Sequence, residues 1–109
     1  MSIAVDLADI PRAIAAQIGW CYLLTVSDDG QARVLAVTPS LQDDGSLRCM
    51  AGRSTLANAA ARPTVTLAFP PASADAMSLI IDGTARVTDT RIDIVPTWAV
   101  MHRSAVAIA

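Results

Sequence analysis

Lysine and glutamate are both missing from this chain: its 8 basic side chains are all arginine and its 10 acidic ones are all aspartate. That restriction reads as the compositional habit of a GC-rich genome, and the net charge of −2 leaves no broad basic surface for a nucleic-acid partner. Histidine is nearly absent too. With His102 alone, there is no histidine cluster for a metal, and no histidine stands near either cysteine to make a nucleophile pair. Cys21 and Cys49 have neither zinc-ligand nor redox-pair spacing, so both read as small buried hydrophobes in strands. No apolar run approaches the roughly 18 residues that a bilayer span requires, so no membrane partner is expected. No basic segment followed by an apolar stretch and a cleavage site is seen near the start, which predicts a cytoplasmic protein. The P-loop and the dinucleotide fingerprint are absent as well.

What is present is apolar. Hydrophobic residues make up 53% of the 109 residues and charged ones 17%, a balance that leaves apolar surface for another copy of the chain. The length suits one domain, residues 1–109, near the size at which a partner subunit contributes much of the stability. A homodimer is the expectation.

Along the chain the pattern is one helix and then mostly strands. From Asp9, Pro11 suits a first helical turn, Ile10, Ile14 and Ile18 recur every four residues, and Gly19 is a natural stop. Trp20 to Ser27 reads as a strand, Asp28-Asp29-Gly30 as a hairpin turn, and Gln31 to Pro39 as the returning strand. The aspartate pairs 28–29 and 43–44 sit beside glycines, where they serve turn geometry, so they are not read as paired catalytic carboxylates. After the turn at 42–46 come a strand at Leu47 to Met50, a short helix ending at Arg62-Pro63, and a strand at Thr64 to Phe69. Pro70 and Pro71 open a loop. Ser78 to Thr90 is a long strand interrupted at Asp82-Gly83, which suits either a two-residue hairpin turn or a glycine bulge in one continuous strand. Arg91 to about His102 closes the series, with Pro96 marking a kink or an unpaired edge. Five or six strands and two short helices make a small closed or nearly closed barrel.

The segment with the most chemistry is Ala51-Gly52-Arg53-Ser54-Thr55, which leads from a strand into a helix. The first N–H groups of a helix have no intrahelical partners and carry the positive end of its dipole, so a phosphate placed there gains hydrogen bonds and charge stabilisation together. Arg53 adds a forked cation suited to phosphate oxygens, and Ser54 and Thr55 add hydroxyl donors. The same residues also suit ordinary capping by Ser or Thr after a glycine turn.

The succession from Gly19 to Gly30, then Val34 to Pro39, resembles the opening of pyridoxamine 5′-phosphate oxidase-like proteins, the FMN-binding split β-barrels. Gly52-Arg53-Ser54-Thr55 through Asn58, followed by Arg62 to Leu67, is similar to that family's phosphate loop, helix and next strand, and Ser78 to Ala85 to its long bent strand. The resemblance covers about residues 9–103. It implies a mainly β fold with two short helices, an antiparallel six-stranded split β-barrel, assembled as a homodimer with flavin sites at the subunit boundary. It implies FMN as cofactor and an oxidoreductase acting on a small-molecule substrate. Arg53, Ser54 and Thr55 would meet the phosphate, while Arg33, Val37, Thr38, Met50 and Ala51 would line the ribityl chain and ring. Trp98 and His102 to Arg103 would cover the ring from the partner subunit.

Thr55 stands where many relatives carry lysine, so one phosphate cation is absent, and Arg33 or Arg48 would replace it only by turning toward the loop. A short C-terminus would leave the ring open. Few basic residues lie near that end, which argues against pyridoxamine phosphate itself as substrate. A deazaflavin (F420)-dependent reductase of the same fold, a cofactor-less binding or structural dimer, and a haem-binding variant are the other readings. Each side chain also has a plainer role: His102 on the surface, Trp98 and Tyr22 in packing, Asn58 bracing the helix, and Arg62 on the helix's C-terminal carbonyls.

Overall fold

The computed structural model describes residues 2–105. In chain order these form β1 (Ser2–Ala4), a 3₁₀ turn (Leu7–Asp9), α1 (Ile10–Ala15), β2 (Cys21–Val26), β3 (Ala32–Val37), β4 (Ser40–Leu41) and β5 (Leu47–Met50). There follow α2 (Arg53–Ala61), β6 (Thr64–Phe69), β7 (Ser78–Thr88) and β8 (Arg91–His102). The mainly β architecture with two short helices is as the sequence leads one to expect.

All strand pairings are antiparallel, in the order β3-β2-β6-β7-β8-β5-β4. The two ends of this path, β3 and β4, are consecutive in the chain and separated only by Thr38 and Pro39. Three Cα steps reach at most about 11 Å, so the sheet has to curl until its edges nearly meet. The edges do not pair, and the barrel is split there.

The sheet has eight strands rather than the expected six. Both additions are too short to show a period of two. β1 pairs with the C-terminal half of β8, Ser2 opposite His102, and β4 pairs with β5, Ser40 opposite Arg48. One edge of β8 is therefore shared, β5 taking Arg91 to Ile94 and β1 taking Val100 to His102.

Alternation fills the interior. Cys21, Leu23 and Thr25 of β2, Val65, Leu67 and Phe69 of β6, Leu79 and Ile81 of β7, and Ile92 and Ile94 of β8 all point inward and are buried. Gly83 settles the ambiguity at Asp82-Gly83: β7 runs unbroken through it, and the irregularity lies opposite, where Asp82 faces Trp98 and Gly83 faces Pro96. Thr97 is the extra residue. This bulge shifts the parity of β8, so that Ile92 and Ile94 before it and Ala99 after it all face the core. A Cβ on Gly83 would lie 2.6 Å from Ile94 Cγ2 and 2.7 Å from the Val95 carbonyl oxygen, which is why glycine stands there.

The first helix is shorter than its isoleucine spacing implies. Ile10 is buried and Ile14 packs on the core, but the helix ends at Ala15. The Ala16 N–H bonds to Ala13 and Gln17 to Ile14, at 3.3 and 2.9 Å. Those i to i+3 bonds tighten the last turn, leaving Ile18 beyond it. No helix of the described residues is long and apolar enough to cross a membrane.

Candidate functional site

β5 delivers the chain to α2. Met50 lies opposite Arg91 at the end of the strand, and the Ala51 N–H donates to the Thr90 carbonyl at 3.2 Å, which fixes the departure of the loop. The N-cap of α2 is Gly52, with φ −81° and ψ 176°, rather than Ser54 or Thr55. Among the described residues no side chain caps the helix. The hydroxyls of Ser54 and Thr55 therefore sit inside the first turn, which leaves the leading N–H groups free for an external acceptor. A Cβ built on Gly52 meets nothing within 4 Å, so the space before the helix is open.

Arg53 and Ser54 are exposed and Thr55 is half-buried. Among the described residues Arg53 makes no ion pair, whereas Arg33, Arg48, Arg62, Arg86 and Arg91 all do. An uncapped helix start beside a free guanidinium has the donor set and the sign of charge that a phosphate monoester requires.

The helix is anchored from behind. Buried Asn58 donates from Nδ2 to Thr25 Oγ1 of β2 at 3.2 Å, the bracing role its position implied. The Arg62 backbone N–H donates to the Asn58 carbonyl at 2.8 Å, but its guanidinium leaves the helix: Nε donates to the Val26 carbonyl at 2.6 Å and Nη2 to Asp28 Oδ1 at 2.8 Å. The helix end is thus tied to the hairpin between β2 and β3. The signal for this was present only in three dimensions, because Val26 and Arg62 are distant in sequence.

The other expected contacts are dispersed. Arg33 is exposed on β3 and pairs with Asp29 Oδ2 at 3.2 Å. Val37 is 7% exposed and belongs to the core row with Cys21, so its side chain faces the interior. Thr38 is exposed in the two-residue link to β4, Met50 is exposed on the outer face, and Ala51 is half-buried. Arg48 is held by Asp93, its Nε donating to Oδ1 at 2.7 Å, and so does not turn to the loop. Trp98 lies seven residues beyond Arg91 on β8, about 23 Å along the strand from the level of Met50. His102 is farther still, half-buried, with its carbonyl accepting from Ser78 Oγ at 3.0 Å. Arg103 donates to the Asp75 carbonyl at 3.1 Å. Within one chain, then, Trp98 and His102 stand apart from Arg53.

Two clefts lie elsewhere and contain none of Arg53, Ser54 and Thr55. One, of about 400 Å³, is bounded by Val5, Asp9, Arg12 and Met101, and the other, of about 230 Å³, by Leu7, Asp44, Val95 and Pro96. Among the described residues no group of three or more His, Cys, Asp or Glu is arranged to hold a metal ion.

The outer face of the sheet carries several exposed apolar side chains, with the hydrogen-bonded Thr66 and Asp82 in register between Val34 and Trp98. Val34 is 59% exposed and Trp98 49%, with Tyr22 and Val26 also exposed. Trp20 packs edge-on against Tyr22, ring centroids 5.0 Å apart.

No family model matches the chain. An uncharacterised protein of Mycobacterium tuberculosis is 34% identical over 117 aligned positions, which span 93% of this chain and 82% of the relative. Among solved structures, a Listeria innocua protein named as a candidate pyridoxamine 5′-phosphate oxidase superposes with a TM-score of 0.74 at 20% identity, covering 91% of this chain and all of the other. An FAD-binding protein from Mycobacterium smegmatis gives 0.67 at 15% identity, covering 94% of this chain and 100% of the other. An F420 reductase gives 0.65 at 17%, covering 81% and 94%. At those identities the likeness is one of fold.

Proposed function

We propose, from the split-barrel fold that the chain shares with solved pyridoxamine 5′-phosphate oxidase-like, FAD-binding and F420 reductase structures, that it binds a flavin-type cofactor, FMN, at the start of α2 and serves as an oxidoreductase on a small molecule. The observation that carries this reading is the uncapped first turn behind Gly52, with Arg53 beside it making no ion pair among the described residues. The phosphate would rest on the α2 amides, Arg53 and the hydroxyls of Ser54 and Thr55, while Met50 and Ala51, and Arg33 and Thr38 across the split, would flank the ribityl chain. A flavin supplies the hydride and electron chemistry, and the protein supplies orientation and exclusion of water.

The ring would lie against a second copy of the chain. Exposed Val34, Tyr22 and Trp98 offer the apolar area for that contact, and a homodimer would bring Trp98 and His102 of one protomer toward the Arg53 loop of the other. This accounts for their distance from Arg53 within a single chain.

F420 is the second reading, favoured by the fold shared with an F420 reductase and by the missing lysine at Thr55, which leaves a weaker site for a lone phosphate. The experiment is a titration of purified protein with FMN and with F420, followed by fluorescence. FMN binding that Arg53→Ala weakens about tenfold supports the first reading. Preference for the deazaflavin supports the second, and indifference to both leaves a cofactor-less dimer.

A further inference from the structure

The larger of the two clefts, about 400 Å³, lies where α1, β1 and β8 come together. α1 gives Ile10 and Ile14 to the core, while Asp9, Arg12, Ala13 and Ala16 line the cleft. Spaced i, i+3, i+4 and i+7, these four form one stripe along the helix. The facing wall is Ala4 of β1, with Val5 and Asp6 beyond it, and Met101 of β8. Pairing holds that wall in place: Ile3 stands opposite Met101, Ala4 stands opposite Val100, and the Val5 N–H donates to the Ala99 carbonyl at 3.0 Å. Val5, Ala13 and Met101 also pack on the core, so the floor is apolar, and alanine at 4, 13 and 16 leaves the volume open.

The charged groups at the rim go unused by the fold. Asp6 and Asp9 stand at the N-caps of the 3₁₀ turn and of α1, where an aspartate ordinarily accepts from a backbone N–H, yet neither side chain makes a capping bond. Arg12 follows Asp9 by three residues, a spacing at which opposite charges pair along a helix. These two do not pair. Among the described residues Asp6, Asp9 and Arg12 are all outside the ion pairs of the chain. A concave apolar surface with a few convergent polar groups is the usual form of a small-molecule site, and this one offers both signs of charge at once.

We propose that this cleft binds a small amphoteric molecule, an ammonium and a carboxylate on a short aliphatic body, as in an aliphatic amino acid. The carboxylate meets the forked guanidinium of Arg12, the ammonium meets Asp6 and Asp9, and the aliphatic body lies on Val5, Ala13 and Met101. A molecule with only one of the two charges leaves half of the rim unanswered. The cleft includes none of Arg53, Ser54 and Thr55, so this binding does not depend on a cofactor at α2.

The test titrates the whole chain with L-leucine, with isoamylamine, which lacks the carboxylate, and with isocaproate, which lacks the ammonium, each followed by backbone amide NMR shifts. Leucine should shift the amides of Val5, Ala13 and Ala16 saturably, and each analogue should bind about fivefold more weakly, the upper range for one exposed ion pair. Arg12→Gln, at an exposed position, should lower leucine to the affinity of the amine and leave the amine within about twofold. Asp6→Asn combined with Asp9→Asn should do the converse, bringing leucine down to isocaproate. Ala16→Leu, which fills the cleft, should abolish binding of all three ligands. Shifts that stay linear to about 10 mM leucine, shifts confined to other parts of the chain, or equal affinity for leucine and both analogues overturn the proposal. No flavin takes part in these titrations, so their outcome is separate from that of the cofactor reading.

Discussion

The Nδ2 of Asn58 and the Oγ1 of Thr25, both buried, meet at 3.2 Å and join α2 to β2 through the floor of the candidate site. Because neither group reaches water, removing one leaves the other unsatisfied, a penalty of about 1–3 kcal/mol. Asn58→Ala regains a few tenths from helix propensity, about 0.5 kcal/mol, so a net loss of about 1–2 kcal/mol is expected. Thermal unfolding should show Tm lower by roughly 4 °C or more per kcal/mol. Adding Thr25→Val to that variant removes the orphaned hydroxyl and should recover part of the loss. An unchanged Tm in the single variant would show that the bond contributes nothing.

Gly83 admits no larger residue. A methyl group there would press on Ile94 Cγ2 and the Val95 carbonyl oxygen, at 2.6 and 2.7 Å, and the carbonyl belongs to the bulged backbone and cannot rotate aside as a side-chain tip could. Gly83→Ala should destabilise by about 1–3 kcal/mol or more, read as a lower urea midpoint with little change in slope. Gly19→Ala, where a Cβ meets nothing within 4 Å, is the control and should change stability far less.

Most of the strands were legible because their alternation is clean: Cys21-Leu23-Thr25 and Val65-Leu67-Phe69 each bury one side of a strand. β1 and β4 were not, since three and two residues carry no period, and their partners on β8 and β5 are remote in sequence. The candidate loop was legible from Gly52 and Arg53 because helix starts announce themselves locally. Its cap was misplaced by the preference of Ser and Thr for that position, which the extended backbone at Gly52 overrides. The ion pairs of Arg48 and Arg91 with Asp93 were not legible, because they depend on a register that only strand pairing creates.

The two thiols are buried, as strand cysteines with no partner spacing should be. Burial, with smaller contributions from Cys49 on Cys21 and from Asp93 on Cys49, pushes Cys21 up to about 12 and Cys49 up to about 11. A raised value means that the folded state holds these protons more tightly than the unfolded chain, in which a thiol titrates near 8.5. The resulting stability is whole below about pH 8.5 and declines as pH rises through the folded-state values. Urea midpoints should therefore be level from pH 7 to 8 and fall by pH 10. An aromatic disulfide reagent at pH 8 should leave the native protein unmodified and label two thiols after unfolding. Rapid labelling of the native protein would contradict this.

Val34 offers the cleanest approach to the subunit boundary. It is 59% exposed on the outer face of the edge strand β3, and it touches neither the core nor the ion pair of its neighbour Arg33. In an isolated chain an exposed substitution there changes stability by only about 0.5 kcal/mol. If the apolar outer face is covered by a second copy, Val34→Asp places a carboxylate in that contact. By two-fold symmetry it does so twice, so each loss of apolar burial and each desolvated charge counts double. Light scattering coupled to size exclusion should then show wild-type protein as a dimer and the variant shifted to monomer at micromolar concentration, with an unchanged far-ultraviolet spectrum. FMN affinity should fall together with dimerisation, because the ring would lose its cover. A wild-type monomer, or a variant dimer as tight as wild type, would move the subunit contact away from this face.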